Sequence, residues 1–150
     1  MKTPDKISPR QNAGLPQASK KTNFISPIIE KIYNHAELSR IRERVVADLK
    51  EREGNRMLIA SPDGETGASL LVAALGYYTA YACQQKVLLI DCNMCRPNLH
   101  TFFNLPQSHG ITDLIQNNLS GRDIVKGTGT EGLHIITTGS VDDNISTKLR

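Results

Sequence analysis

The sequence predicts an α/β fold, a parallel sheet flanked by helices and incomplete at its C-terminal side. Short apolar runs at residues 56–61, 86–91 and 133–138 have the length of strands and are separated by helical patterns. The run Lys86-Val-Leu-Leu-Ile-Asp91 is continuous in its hydrophobicity, as strands covered on both faces of a parallel sheet are. Only 12 residues follow Thr138.

Taken in order, residues 1–24 are rich in Lys, Pro, Ser and Gln and have no periodic apolar positions, so they read as a disordered leader. Lys2, Lys6, Arg10, Lys20 and Lys21 against Asp5 give this leader a charge of +4, which leaves −1 for the rest of a chain whose net charge is +3. Cations this sparse describe a solvated basic tail, and no nucleic-acid partner is expected. Residues 25–54 read as an amphipathic helical segment. Ser26-Pro27 offers a start with proline at the first helical position, Leu38, Ile41, Val45 and Leu49 recur at helical spacing, and Gly54 marks the stop. A break is expected near Asn34-His35.

Residues 55–150 hold the α/β domain. Its first strand, 56–61, runs into the loop Pro62-Asp-Gly-Glu-Thr-Gly67, and residues 68–83 follow as a helix that is apolar almost all round. That helix should be buried, with Tyr77, Tyr78 and Tyr81 in the core. Ile111–Asn117 and Arg122–Lys126 read as two short helices before the last strand. The longest apolar stretch, Leu70 to Leu75, is too short to span a bilayer or to form a signal-peptide core, so a cytoplasmic protein is expected, peripheral to the inner membrane only through a partner. Cysteines at positions 83, 92 and 95 suit a reducing compartment better than a disulfide framework.

A phosphate-binding loop needs backbone N–H groups converging at a helix N-terminus, a lysine for the outer phosphates and a hydroxyl for Mg²⁺. Strand, loop and buried helix come here in that order, which a P-loop NTPase-like domain shares with the many glycine loops that merely join a strand to a helix. Gly64, Gly67, Ala68, Ser69 and Leu70 are the candidate nucleotide-binding residues, with Ser69 as the Mg²⁺ hydroxyl and Ala68 where the lysine would stand. Asp91 closes the next strand at the edge where ligands of open α/β sheets bind, and can serve Mg²⁺ or simply cap the following loop. Cys92-x-x-Cys95 is a separate redox-type signal, and His100 and His134 read as packing or surface residues.

The stretch Leu-Leu-Ile-Asp91-Cys-Asn-Met-Cys-Arg96-Pro97-Asn-Leu99-His100, followed by Asn-Leu105-Pro106 and Gly110-Ile-Thr-Asp-Leu114, resembles bacterial tyrosine kinases of the capsule and exopolysaccharide type. The likeness runs over roughly residues 37–145. It implies ATP and Mg²⁺ as cofactors, Asp91 as the first acid of the second nucleotide motif, and Glu37 and Arg40 as two members of a Glu-x-x-Arg-x-x-Arg self-association motif. Three departures matter. The loop lysine is Ala68, the second acid of the paired motif is Asn93, and the last arginine of the helix motif is Glu43. The resemblance therefore implies a degenerate, truncated relative that binds ATP weakly. It would act as a non-catalytic regulatory or scaffold component, with a full-length kinase, an inner-membrane chain-length regulator or further copies of itself as partners. The alternative is an ATP-binding tyrosine kinase domain that autophosphorylates or is completed by a partner chain.

Overall fold

Alternation along two strands fixes where the core lies. In the computed structural model, which describes residues 25–33, 35–117 and 119–140, strand β1 (Val87–Ile90) pairs in parallel with β3 (Leu133–Ile136), Leu89 opposite Ile135. Leu89, Leu133 and Ile135 turn to one face and are buried there. Helix α3 (Ala68–Tyr81) covers that face, burying Ala73, Ala74, Leu75, Gly76, Tyr77 and Ala80. The approach is close: a Cβ on Gly76 would stand 2.6 Å from Leu89 Cδ2, so only glycine lets this turn of the helix rest on the strand. Leu99 and Phe103, from a 3₁₀ turn at Leu99–Phe103, close the same cluster with Ile29 of α1 (Pro27–Tyr33).

A smaller cluster of Leu38, Ala74 and Leu75 fastens α2 (Ala36–Glu51) to α3. Polar contacts on Tyr78 reinforce it: Ser39 Oγ lies 2.5 Å from the phenol oxygen, and the Arg42 guanidinium stands 5.8 Å from the ring centre. Two helices with a boundary between Tyr33 and Ala36 replace a continuous one, where the break is expected. The leader at residues 1–24, Asn34 itself and residues 141–150 lie outside the described residues.

The fold is α/β, as the sequence predicts, but the sheet is mixed rather than parallel. Its order is β1-β3-β2, and β2 (Val125–Gly127) runs antiparallel to β3. Expectation placed these residues in a helix over 122–126. A helix that short is unstable alone, whereas the connection over 128–132 turns the chain back onto the open edge of β3 and satisfies its backbone groups. Gly129 and Gly132 take positive φ in that turn.

Two further expectations fail for the same reason. Residues 56–61 belong to no sheet among the described residues, and Met57 and Leu58 are 50% and 85% exposed. β1 is an edge strand, so its continuous apolar run is covered on one face only; Leu88 and Ile90 are about half exposed on the other. Neither segment has the neighbouring strand that would bury it. On α3, Tyr77 is buried as expected, whereas Tyr81, stacked on it at 5.3 Å in the last turn, is exposed. Among the described residues no helix is long and apolar enough to cross a membrane.

Helix α4 (Ile111–Asn117) docks end-on against the strand edge. The N–H groups of Ile111 and Thr112 donate to the carbonyls of Thr137 and Thr138 at 3.0 and 2.9 Å. A Cβ on Gly110 would lie 2.2 Å from the Thr137 carbonyl oxygen and 2.3 Å from the Gly139 nitrogen, and backbone cannot yield as a side chain can. Gly110→Ala should therefore destabilise the protein by about 2 kcal/mol or more in urea unfolding. Gly121→Ala, where an added Cβ meets nothing within 4 Å, is the matched control and should change stability by less than about 0.5 kcal/mol.

Candidate functional site

The carboxyl edge of β1 and β3 gathers the polar groups of the molecule. Asp91, 6% exposed, follows β1 and has both carboxylate oxygens engaged by backbone. Oδ1 accepts from the Asn93 N–H at 3.0 Å, and Oδ2 accepts from the N–H groups of Asn98 and Leu99 at 3.2 and 3.0 Å. The last two bonds cap the 3₁₀ turn that brings Leu99 and Phe103 into the core, so the carboxylate joins strand, loop and core. Behind it, Thr138 Oγ1 donates to the Asp91 carbonyl at 3.0 Å, and the Asp91 N–H donates to the Ile136 carbonyl at 2.9 Å. Of the two roles open to Asp91 in the sequence, capping is the one its observed bonds perform.

Asn93 forms the next link. Its side-chain oxygen accepts from the Arg96 N–H at 3.0 Å, and Met94 N–H donates to the Cys92 carbonyl at 3.1 Å, so residues 92–96 fold into a tight turn. The turn delivers Arg96 to the glycine loop. A Cβ built on Gly64 would stand 2.7 Å from Arg96 Nη1, so the guanidinium lies directly against that glycine. This contact brings the loop 62–67 and the loop after β1 together, and in the sequence Arg96 stood out only within the stretch that carries the resemblance. The Asn93-x-x-Arg96 spacing of a side-chain-closed turn is the signal that could have found it.

Gly67 takes φ 85°, a left-handed conformation that favours glycine, and serves as the N-cap of α3 with no side-chain cap. The first-turn N–H groups of Ala68, Ser69 and Leu70 have no partner within the helix and belong to its positive end. Ser61 Oγ holds the base of the loop, bonded to the Asp63 carbonyl at 2.7 Å and to Thr66 Oγ1 at 2.5 Å. The side chains supply less than the backbone. Ala68 carries no charge, and Asp63 and Glu65 are exposed acids on the same loop. Glu37 and Arg40 are exposed on α2, as is Glu43. Cys92 and Cys95 are free and exposed, and no group of three or more metal-ligating His, Cys, Asp or Glu side chains occurs among the described residues.

A second polar knot lies at the end of β3. Asp113 Oδ2 accepts from the N–H groups of Gly110 at 2.9 Å and Ser140 at 3.0 Å. The first bond closes the start of α4 in the manner of a capping box. Burial pushes the Asp113 carboxyl up, but the bonds from Gly110 and Ser140 outweigh it and hold the pKa below its usual 3.8. Lys126 Nζ donates to the His109 carbonyl at 2.8 Å and to Thr137 Oγ1 at 2.6 Å; burial lowers its pKa, partly offset by the nearby Asp113 charge.

With this geometry in view, comparisons identify relatives. No family model matches the chain. It is 32% identical over 132 residues to CapB of Staphylococcus aureus, which carries a provisional tyrosine-protein kinase name; the match covers 85% of this chain and 58% of CapB. It is 27% identical to the tyrosine-protein kinase YwqD of Bacillus subtilis, over 90% of this chain and 55% of that protein. The chain thus spans somewhat more than half the length of these two relatives, and 15% of the tyrosine-protein kinase ptk of Acinetobacter johnsonii. Among solved structures, the kinase domain of the Escherichia coli tyrosine kinase ETK superposes with a TM-score of 0.68 at 25% identity, covering 75% of this chain and 44% of that one. The BceF tyrosine kinase domain gives 0.65 at 26% identity, with the same coverage.

The Asp113 knot has a pH signature. The fold holds the ionised carboxylate, so its contribution is complete above the ordinary value of 3.8 and is lost as pH falls through the lower folded value. Urea midpoints measured from about pH 5 to about pH 2 should decline more steeply for the wild type than for Asp113→Asn. Parallel declines would show that Asp113 has no part in acid sensitivity.

Proposed function

We propose, from the premise that this chain is a homologue of the bacterial tyrosine-protein kinases, that it works without catalysis, as a regulatory or scaffold component of capsule or exopolysaccharide biosynthesis. The observation that carries this reading is the mismatch between backbone and side chains at the glycine loop. Gly67 and the start of α3 keep the form of a phosphate cradle, while the charge that would bind the outer phosphates is absent at Ala68. Asp91, the residue that would serve Mg²⁺, already accepts three backbone N–H bonds, and Asn93 stands where the relatives' paired acid is expected. Mg²⁺ and ATP therefore fit this site poorly, and no phosphoryl-transfer step follows from it.

A non-catalytic relative acts by association. Glu37 and Arg40 lie exposed on α2, where a partner can reach them, and the exposed Glu43 places a second acid one turn from Arg40. This arrangement favours a mixed complex with a complete kinase, or with an inner-membrane chain-length regulator, over a closed ring of identical copies. The alternative, a working ATP-binding kinase domain completed by a partner chain, needs a cation at the phosphate cradle. Arg96 against Gly64 is the one observation in its favour.

Nucleotide titration separates the two. A charge-assisted hydrogen bond contributes roughly 1.5–3 kcal/mol, so the missing lysine corresponds to about ten- to a hundred-fold weaker binding. A fluorescent ATP analogue with Mg²⁺ should bind the wild type weakly, and Ala68→Lys should tighten binding at least about tenfold. Saturation of the wild type at low micromolar nucleotide would overturn the non-catalytic reading. A silent Ala68→Lys substitution would instead show that the loop is no phosphate cradle.

A further inference from the structure

The kinase-like reading leaves one chemical feature unused, the pair of thiols in the turn between Asp91 and Arg96. Cys92 and Cys95 are both free and both exposed. The turn is closed twice, by Met94 N–H to the Cys92 carbonyl and by Arg96 N–H to Asn93 Oδ1. Two cysteines three residues apart on a bent backbone can reach the roughly 4.4–6.8 Å between Cα atoms that a disulfide spans. The third thiol is no competitor. Cys83 is half-buried just past the C-terminus of α3, at the amino end of β1, whereas Cys92 follows the carboxyl end of that strand.

Position gives the pair its consequence. The turn lies between two anchored points: Asp91, buried and bonded to Asn93, and Arg96, whose guanidinium lies against Gly64 of the glycine loop. The backbone between these points contains both sulfurs. A covalent link from Cys92 to Cys95 would remove most of the freedom of that backbone and so fix how Arg96 meets the loop.

We propose that Cys92 and Cys95 are a redox-active dithiol, exchanging with low-molecular-weight disulfides of the glutathione type, and that its state sets the hold of Arg96 on the loop 62–67. In the exchange one thiolate attacks the external disulfide and expels one small thiol. The second protein thiolate then attacks the mixed disulfide and expels the other. Two protein thiols lose two protons and two electrons, and one small disulfide takes them up to become two small thiols. The device does not depend on nucleotide binding, so its failure is distinguishable from failure of the reading above.

The test uses the full chain carrying Cys83→Ser, equilibrated in buffers of stepped glutathione to glutathione-disulfide ratio, quenched by alkylation and mapped by peptide mass. Cys92 and Cys95 should lose alkylation together, in one two-electron step, as a peptide two hydrogens lighter. Cys92→Ser and Cys95→Ser, both at exposed positions, should each abolish that species. Hydrogen exchange at residues 62–67 should slow by about tenfold on oxidation in the Cys83→Ser chain, and Arg96→Ala should remove the slowing. Two thiols that stay alkylatable in excess disulfide, or that become glutathionylated independently, would overturn the dithiol. A disulfide that forms without changing exchange in the loop would overturn the coupling.

Discussion

One buried carboxylate holds the strand edge together. Asp91 sits at the end of β1 with both oxygens bonded to backbone N–H groups of the segment that follows. Those bonds decide where the chain goes after the strand. Asn93 is fixed at the start of the turn, and Asn98 and Leu99 are fixed at the start of the 3₁₀ segment whose Leu99 and Phe103 complete the core under α3. An anion buried without partners would be costly, and here it has three N–H donors, two of which would otherwise be orphaned at a helical start. Electrostatics, local structure and core packing depend on the same side chain.

The same commitment sets Asp91 apart from the glycine loop, whose form rests on backbone. Backbone features survive side-chain change. Gly67 still caps α3 in a left-handed conformation, Gly76 still admits Leu89, and the loop still meets Arg96. The side chains of Ala68 and Asn93 carry no charge. The Asp91 carboxylate has its three backbone bonds whether or not it also meets a metal. Its presence is therefore poor evidence for catalysis, and the charge at position 68 is far better evidence.

The sequence revealed elements whose signals are local. The apolar helix from Ala68, the short helix Ile111–Asn117 and the strand ending at Asp91 all stand where periodicity and flanking residues put them. It misplaced what depends on neighbours distant in the chain. Residues 125–127 became a strand because the edge of β3 was available, and Met57 and Leu58 stayed exposed because no adjacent strand covers them. The site divides in the same way. The glycine loop and Asp91 were visible as motifs, whereas the contact of Arg96 with Gly64 depends on how two loops meet in space. Asp113, which draws Gly110 and Ser140 together, appeared in the sequence only as part of a resemblance.

Asp91 serves the fold before it serves any ligand. Thermal and urea unfolding of Asp91→Ala, with and without Mg²⁺, tests this most directly. The substitution strips three backbone N–H groups of their acceptor, at about 1–3 kcal/mol for a buried orphan. A loss of at least about 2 kcal/mol, the same with Mg²⁺ as without it, is the result expected. A variant as stable as the wild type, or a wild type that gains stability from Mg²⁺ only while Asp91 is present, would contradict the account and restore the carboxylate to a metal site.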